Sequence, residues 1–415
     1  MKIVDVLTAK GMTGFYFDDQ RAIKAGAVMD GFTYVGEPQT LHFSAIRQAG
    51  EALSIMLVLE GNLIASGDCA AVQYSGASGR DPLFLAATYE PLVHEHLKPR
   101  LIGLDVRDFL AHARHFDTLK IEGKRLHSAL RYGLSQALLD ACALAHRVPV
   151  AHMVRTLYKL SHDRYDAIPI FAQSGDERML NVDKMIIKEA DVLPHALINN
   201  IDTKLGRQGE LLLTYVAWLK ERIETKRLRD DYAPILHIDV YGTIGIIFEE
   251  DTKRMSQYLS TLAKACHPLT LRIEGPVDCG SQDGTIKALK ALKKQLKDDG
   301  VPVEIVADEW CNTFEDVKLF IKHDCADMIQ VKTPDLGSVH NTIEALLYCQ
   351  AHGVGAYSGG TCNETNLSAQ ITTSIAIATN ATQVLAKPGM GTDEGIMIVK
   401  NHMARELALL RRLSS

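Results

Sequence analysis

Four short apolar segments of this chain each end in a residue that can carry a charge. The segments ILHID, LRIE, EIVAD and MIQVK end at Asp239, Glu274, Asp308 and Lys332. Apolar runs of this length that alternate with helical patterns are typical of buried parallel strands. Parallel strands of one sheet bring their C-terminal ends to the same edge, so the pattern predicts three carboxylates and one amine close together.

Eight apolar runs, most of them separated by helical patterns, occupy the chain after residue 165. They lie at 168–173, 184–188, 235–239, 270–274, 303–308, 327–332, 353–358 and 382–386. This alternation indicates the α/β class and favours a (β/α)8 barrel of the TIM type over an open doubly wound sheet. We therefore predict a barrel domain over residues 166–415, with additional helix in the long interval before residue 235.

Residues 1–165 have a different pattern, which mixes strands with helices. The expected elements are hairpin strands at 52–59 and 63–66 and helices at 83–98, 105–117 and 124–146. The hairpin assignment depends on the turn residues Glu60-Gly61-Asn62, and the helices depend on apolar periodicity. We predict an N-terminal α+β domain that ends within the charged segment 158–167, which lacks a sustained apolar pattern.

Side chains alternate between the two faces of a strand, and this alternation tests the barrel assignment. If Asp239 points into the barrel, His237 lies one layer below it on the same face. The same spacing pairs Glu274 with Arg272, Asp308 with Val306 and Glu304, Lys332 with Gln330, and Gln173 with Phe171. The residues expected to face the surrounding helices are Ile238, Ile273, Ile305, Ile329 and Val331. The charged strand ends therefore share the inner face in one register.

Composition excludes several classes of protein. Hydrophobic residues make up 47% and charged residues 23% of the 415 residues, which is typical of globular chains and not of disordered ones. The net charge of −6 gives no basic footprint for a nucleic acid or an anionic membrane surface. No apolar stretch approaches the ~20 residues that span a bilayer. The acidic start Met1–Val6 predicts a strand and no signal peptide, and the scattered cysteines favour reduced thiols in the cytoplasm.

Three carboxylates from successive strand–helix repeats suggest a metal site. Asp239, Glu274 and Asp308 are expected at the ends of the third, fourth and fifth strands. Hard oxygen ligands with open positions are typical of Mg²⁺, whereas Zn²⁺ is disfavoured because none of these strand ends offers His or Cys as its last residue. Each acid taken alone could instead be a solvated strand end or a helix N-cap.

Lys332 and His195 are candidates for proton transfer. Lys332 ends the next strand, where a partly buried amine beside a divalent cation could act as a base. His195 is expected in the loop after the second strand, across the barrel mouth from Lys332. The alternatives are a surface lysine with an extended side chain and a hydrogen-bonded loop histidine.

Two loops complete the candidate site. Gly359–Thr365 follows the seventh strand and has the glycines and threonine that suit a carboxylate, although a glycine-rich turn before an N-cap would have the same spacing. Gln73–Gly79 in the first domain could cover the barrel mouth. It contains Ala77-Ser78-Gly79, the tripeptide that forms an electrophilic imidazolone in aromatic ammonia-lyases, a family that is helical and longer.

With these residues located, the chain closely resembles the methylaspartate ammonia-lyase family of the enolase superfamily. The likeness runs from Met1 to about Lys400 and rests on long segments: GFYFDDQRAIK (14–24), GDCAAVQYSG (67–76), NVDKMIIKEADVLPHALINN (181–200), HIDVYGTIG (237–245), LRIEGP (271–276), VADEWCNT (306–313), KTPDLG (332–337), GGTCNETN (359–366) and VLAKPGMG (384–391). Ser358, where the family pattern can carry a cysteine, is the one difference we note.

The resemblance implies a fold, a reaction and a set of roles. It implies an enolase-like barrel with a capping domain, and reversible elimination of ammonia from L-threo-3-methylaspartate to give mesaconate. By position, Asp239, Glu274 and Asp308 would bind Mg²⁺, Lys332 would remove the C3 proton of the (2S,3S) substrate, and His195 would serve the 3-epimer and contact a substrate carboxylate. Further matches are Gln173, Gln330, Thr361 and Cys362 for substrate binding, and Gln73, Phe171, Tyr357 and Leu385 around the methyl and amino groups.

The resemblance also implies a homodimer, a monovalent cation such as K⁺, and a place in glutamate degradation through mesaconate. The residues alone leave other functions open. A dehydratase, racemase or cycloisomerase would use the same metal and base, and a barrel could bind a dicarboxylate without turnover.

Overall fold

The computed structural model describes residues 1–76, 80–390 and 392–414. The N-terminal part is built on a three-stranded antiparallel sheet with Arg47–Leu59 in the middle, between Ile3–Asp18 and Ile64–Cys69. The predicted hairpin is confirmed, and its strands are longer than expected. Its turn ends in Gly61 and Asn62, both of which have positive φ angles of 82° and 60°.

Helices of the N-terminal part accompany this sheet, and Ser128–His146 makes the most extensive contacts with it. The helices are Gln20–Lys24, Ala86–Leu92, Lys98–Leu101, Phe109–Thr118, Ser128–His146 and Val150–Leu157. Shorter elements are a π-helical turn at Val93–Leu97, a 3₁₀ turn at Val106–Asp108, and the small hairpins Val28–Asp30 with Thr33–Val35 and Lys120–Ile121 with Lys124–Arg125. The helix Ser128–His146 approaches the sheet where Gly133 faces Gly67, and a Cβ atom on Gly67 would lie 2.1 Å from the carbonyl oxygen of Gly133. Glycine is therefore required for this close packing.

Among the described residues, eight parallel strands close into a barrel. In chain order they are Ile170–Phe171, Val192–His195, Ile235–Asp239, Leu271–Glu274, Val303–Ala307, Met328–Val331, Gly355–Ser358 and Gln383–Leu385. Each strand pairs with the next along the chain, and the eighth pairs with the first. The (β/α)8 barrel with an N-terminal capping domain is therefore confirmed.

The second barrel strand is the one that the sequence placed wrongly. Residues 184–188 lie in the helix Arg178–Ile187, where Val182, Met185 and Ile186 are buried at helical spacing. The strand is Val192–His195 instead, a shorter run that contains a proline. The expected additional helix before residue 235 is Glu210–Lys226, which follows a π-helical turn at Ile201–Leu205.

The remaining helices surround the barrel. They are Thr243–Ile247, Thr252–Cys266, Gln282–Asp298, Phe314–His323, Val339–Ala351, Asn366–Thr379 and Glu394–Ser414. None of the helices in the described part of the chain has both the length and the apolar character that crossing a membrane requires.

Packing follows the predicted alternation of side chains. The residues expected to face the helices lie in the large core between the barrel and its helices, and they are Ile238, Ile273, Ile305, Ile329 and Val331. A separate, smaller apolar cluster fills the barrel interior with Phe171, Val192, Val306, Met328, Tyr357 and Leu385. The predicted register of the barrel strands is confirmed.

A hydrogen-bonded network around a buried ion pair of the barrel joins the two parts of the molecule. Lys387 Nζ lies 2.8 Å from Glu364 Oε1, and neither side chain is exposed. Tyr132, on the long helix of the N-terminal part, donates a hydrogen bond of 2.7 Å to the other oxygen of Glu364. Thr333 accepts a hydrogen bond from Lys387 and donates one to Glu364. The loops after the sixth, seventh and eighth strands are thereby tied to the N-terminal part.

The predicted boundary at residue 165 falls between the helix ending at Leu157 and the strand beginning at Ile170. Ala77-Ser78-Gly79, on which the imidazolone interpretation depends, lies outside the described residues.

Lys387→Met tests the buried ion pair. Removal of one partner leaves an uncompensated buried charge, so we expect a loss of about 3–5 kcal/mol in the free energy of unfolding, measured by equilibrium urea denaturation. The double variant Lys387→Met/Glu364→Gln removes both charges and should recover part of that loss. A double variant that is less stable than the single one would show that shape, and not charge, governs this contact.

Candidate active site

Three carboxylates meet at the C-terminal end of the barrel. Asp239 and Glu274 are the last residues of the third and fourth strands, and Asp308 directly follows the fifth. Each offers an oxygen atom within 4.8 Å of the others. Their exposed fractions are only 2%, 0% and 8%. Consecutive parallel strands place the three acids side by side, as the sequence predicts.

Burial raises the pKa values of two carboxylates in this acidic cluster. Burial raises the pKa of Glu274 well above its ordinary value, and the charges of Asp239 and Asp308 raise it further. Burial also raises the pKa of Asp239, although His195 opposes the shift. Oδ1 of Asp308 is buried, and its close partner among the described residues is the Lys332 ammonium at 2.7 Å. Three buried carboxylates this close together fit a hard divalent cation such as Mg²⁺.

Hydrogen bonds from inside the barrel hold Glu274. His237 Nε2 lies 2.7 Å from Glu274 Oε2, and the Tyr357 hydroxyl donates to both carboxylate oxygens at 2.9 and 3.0 Å. Gln330 donates to the same hydroxyl at 2.5 Å. Gln383 lies 3.0 Å from the other ring nitrogen of His237. The orientation of Glu274 is therefore fixed by neighbours on several strands.

Lys332 follows the sixth strand and is buried beside the cluster. Its Nζ lies 2.7 Å from Asp308 Oδ1 and donates a hydrogen bond of 3.0 Å to Asn312 Oδ1. Burial lowers the pKa of Lys332, but the charges of Asp308 and Glu309 outweigh it, so the net pKa is raised above the ordinary value. Neutralisation of those carboxylates therefore favours the free amine that a base requires.

His195 borders the cluster at a different acid. Its Nε2 lies 3.4 Å from Asp239 Oδ2, and its ring centroid lies 6.0 Å from that of Phe171. His195 ends the second strand with a φ of 64°, and Ala196 and Leu197 also have positive φ angles. Simple alternation would place His195 on the same face as Leu193, toward the helices. The left-handed backbone turns it toward Asp239 instead.

The candidate substrate residues line the barrel interior and its mouth. Phe171 stacks on His237 with a centroid distance of 4.3 Å and meets Tyr357 edge-on at 5.6 Å. Leu385 ends the eighth strand within the same apolar cluster. Gln173 lies two residues beyond the end of the first strand and is buried. Phe171 and Leu385 therefore belong to the apolar interior of the barrel, and Gln173 is buried just beyond the end of its strand.

The loop after the seventh strand meets the N-terminal part at Cys362. Burial raises the pKa of this thiol to about 12, so it remains a hydrogen-bond donor. Cys362 Sγ lies 3.9 Å from Thr361 Oγ1 and donates to Gln73 Oε1 at 3.4 Å. Gly360 has no room for a side chain, because a Cβ atom would lie 2.4 Å from Glu364 Oε1. Gln73 therefore lies beside the barrel loop that carries Thr361 and Cys362.

The structure brings the candidate residues from the sequence to one end of the barrel, but sequence reasoning missed several neighbours. Asn312 contacts Lys332, and Arg80 pairs with Asp335 at 3.1 Å in the loop that follows Lys332. Glu309 has its pKa raised to about 7, first by the charge of Asp308 and then by burial. Asn312 and Glu309 lie within the segment VADEWCNT, yet their spacing alone does not distinguish them from ordinary loop residues.

Comparison with known proteins gives a match over nearly the whole chain. The family model of the methylaspartate ammonia-lyase N-terminus matches residues 1–159, and that of the methylaspartate ammonia-lyase C-terminus matches residues 164–412. Methylaspartate ammonia-lyase from Clostridium tetanomorphum is 57% identical over 412 residues, which cover 99% of this chain and 100% of that protein.

Solved structures agree with this match. The crystal structure of the Clostridium tetanomorphum β-methylaspartase Mg complex superposes with a TM-score of 0.98 at 57% identity, and covers all of both chains. Citrobacter amalonaticus methylaspartate ammonia-lyase containing (2S,3S)-3-methylaspartic acid gives a TM-score of 0.97 at 53% identity, covering 99% of this chain and 100% of that chain. The L-Ala-D/L-Glu epimerase from Bacillus subtilis has a TM-score of 0.63 at 16% identity over 96% of this chain and 91% of that chain, which shows the fold alone.

Asp239→Asn tests the acidic cluster as a metal site. The loss of groups that merely support a metal ligand costs about 10- to 100-fold in affinity, so removal of a ligand charge should weaken Mg²⁺ binding by at least that factor. Isothermal titration calorimetry with Mg²⁺ measures the change. Asp183→Asn is a matched control, because Asp183 pairs with Arg222 on an outer helix, remote from the cluster. Unchanged affinity in Asp239→Asn would remove this residue from the ligand set.

Proposed function

Because the chain belongs to the methylaspartate ammonia-lyase family, we propose that it catalyses the reversible elimination of ammonia from L-threo-3-methylaspartate to give mesaconate. The observation that carries the proposal is Lys332, buried 2.7 Å from one acid of a three-carboxylate cluster in a chain that matches its relatives from end to end. The (2S,3S) compound bound in the Citrobacter relative supports the choice of substrate.

The acids Asp239, Glu274 and Asp308 would hold Mg²⁺, which is present in the Clostridium relative. Bound Mg²⁺ supplies positive charge that stabilises the dianion left when C3 loses its proton and offsets the carboxylate charge that raises the pKa of Lys332. The protein contributes rigidity, because Glu274 is fixed by His237 and Tyr357 before any ligand binds.

Lys332 acts as the base for the (2S,3S) substrate. Its amine takes the proton from C3, and the electrons of the C–H bond pass into the adjacent carboxylate, which gives the enolate dianion. These electrons then return to form the C2–C3 double bond as the C2–N bond of the ammonium group breaks with its electrons on the departing ammonia. The hydrogen bond from Nζ to Asn312 directs the side chain toward the cluster. Burial of Lys332 excludes water that would otherwise compete for the proton.

His195 acts on substrate of the opposite configuration at C3. His195 contacts Asp239, whereas Lys332 contacts Asp308. This difference supports a second proton acceptor on another side of the site. His195 also lies close enough to the cluster to bind a substrate carboxylate through its ring N–H.

The remaining roles concern the shape and polarity of the pocket. Gln173, Gln330, Thr361 and Cys362 would bind the polar groups of the substrate. Phe171, Tyr357 and Leu385 would enclose the methyl group, a role supported by their position in the apolar cluster of the barrel interior. Gln73 would contact the amino group from the capping domain.

Several finer features follow from the family resemblance. The protein would act as a homodimer in the cytoplasm, use K⁺ as a monovalent cofactor, and serve glutamate degradation through mesaconate. The division into a capping domain of residues 1–165 and a barrel domain of residues 166–415 is supported by the helix end at Leu157 and the strand start at Ile170.

Chelation separates this reaction from its alternatives. Incubation with 3-methylaspartate and Mg²⁺ should produce the ultraviolet absorbance of an unsaturated diacid, and EDTA should abolish it until Mg²⁺ is restored. Activity that survives EDTA would remove the metal from the mechanism. If no absorbance appears with Mg²⁺ present, a racemase, dehydratase or cycloisomerase would explain the site better.

Lys332→Ala and His195→Ala separate the two proton acceptors. General-base catalysis contributes about 10²- to 10⁴-fold, so Lys332→Ala should lose at least that factor in kcat with the (2S,3S) substrate. His195→Ala should keep substantial (2S,3S) activity and lose activity with the 3-epimer. Steady-state assays of both variants with both epimers measure the difference. Equal losses for both epimers in His195→Ala would indicate a binding role common to the two reactions.

A further inference from the structure

We propose that Asp18 and Arg47 are positioning residues that fix the side-chain amide of Gln73 with its carbonyl oxygen toward the substrate, and thereby select the amino group. The inference rests on the proposed function, because it concerns the amine that the reaction releases or adds. None of the sequence patterns that define the acidic cluster points to these two residues.

Asp18 and Arg47 face each other across two strands of the capping domain. Asp18 ends the first strand, Arg47 begins the middle strand, and the two are direct partners in the antiparallel register. Arg47 Nε and its terminal nitrogen donate to the two carboxylate oxygens at 2.7 and 2.8 Å. Asp18 is only 1% exposed. A bidentate pair of this kind fixes the plane of the carboxylate as well as its position.

The guanidinium group is itself held in place by aromatic rings. Its central carbon lies 4.5 to 5.9 Å from the centroids of four rings, those of Phe15, Tyr16, Phe32 and Tyr34. Arg47 also donates a hydrogen bond of 3.1 Å to the backbone oxygen of Phe32. These contacts restrict the arginine, so Asp18 has little freedom to turn.

Asp18 determines the orientation of the Gln73 side-chain amide. Gln73 Nε2 donates to Asp18 Oδ2 at 2.7 Å, and the backbone N–H of Asp18 donates to the backbone oxygen of Gln73 at 3.0 Å. An ionised carboxylate only accepts hydrogen bonds, so the NH₂ group of Gln73 must face it. The carbonyl oxygen is consequently on the other side, where the Cys362 thiol donates to it at 3.4 Å.

An acceptor at this position discriminates between the polar groups of the substrate. The ammonium group of an amino acid carries hydrogens to donate, whereas its ionised carboxylates carry none and are repelled by a carbonyl oxygen. An unrestrained glutamine could turn its amide by 180° and present NH₂, which suits a carboxylate. Asp18 prevents that reversal, so Gln73 favours the amine over the diacid part of the substrate.

Asp18→Asn tests the proposal in the direction of ammonia addition, where the amine and the diacid are separate substrates. An asparagine can donate to a reversed Gln73 and loses the bidentate pairing with Arg47. Loss of a hydrogen bond to a charged group weakens binding by about 10- to 100-fold, so KM for ammonia should rise by about that factor. KM for mesaconate, which has no amine, should change little.

Two further variants make the result specific. In a Gln73→Ala background the same Asp18→Asn change should not raise KM for ammonia further, because no amide remains to be oriented. Asp183→Asn, which breaks an equally bidentate pair with Arg222 on an outer helix, should leave both KM values unchanged. If Asp18→Asn does not fold, Arg47→Lys provides a second variant, because it keeps the charge and loses the bidentate hydrogen bonds. It should show a smaller rise in KM for ammonia.

Other outcomes overturn the proposal. An equal rise in both KM values, a fall in kcat alone, or a full effect of Asp18→Asn in the Gln73→Ala background would show that Asp18 supports the fold and does not orient the amide. A wild-type protein that adds no ammonia to mesaconate would overturn the proposed function first, and this inference with it.

Discussion

Mutual repulsion among Asp239, Glu274 and Asp308 is the constraint on which the rest of the site depends. Three buried carboxylates within 4.8 Å of one another are unfavourable unless positive charge compensates for them. Lys332 supplies positive charge beside Asp308, and His195 borders Asp239. The same electrostatic demand that favours a divalent cation therefore also accounts for the buried amine beside the cluster.

The sequence predicted this part of the molecule well because the barrel imposes a simple rule. A charged residue after a short apolar run lies at the C-terminal edge, and alternation decides whether it points inward. The rule failed where a buried apolar segment was a helix and where the backbone at a strand end was left-handed. The buried positions of the helix Arg178–Ile187 made residues 184–188 resemble a strand, and the true strand Val192–His195 is short and contains a proline. The inward turn of His195 depends on a left-handed backbone conformation, which its residue type does not predict.

Contacts between the two domains could not be predicted from pattern at all. Gln73 meets Cys362 of the barrel across a separation of 289 residues, and within the capping domain Asp18 reaches Gln73 across 55 residues. Periodicity and strand-end rules describe neighbours within one element or between successive repeats, and they carry no information on which loop of one domain covers which loop of another. The family resemblance supplied Gln73 as a candidate site residue, but only the three-dimensional contacts connect it to Asp18 and Arg47.

The buried network of Tyr132, Thr333, Glu364 and Lys387 has a consequence for recombination between relatives. Glu364 and Lys387 belong to barrel loops, whereas the phenol that completes the coordination of Glu364 comes from the other domain. A chimaera that grafts a foreign capping domain onto this barrel must provide a hydroxyl donor at the position of Tyr132. Without it, the Glu364 carboxylate remains buried with one hydrogen-bond donor missing, and the interface between the two domains is destabilised.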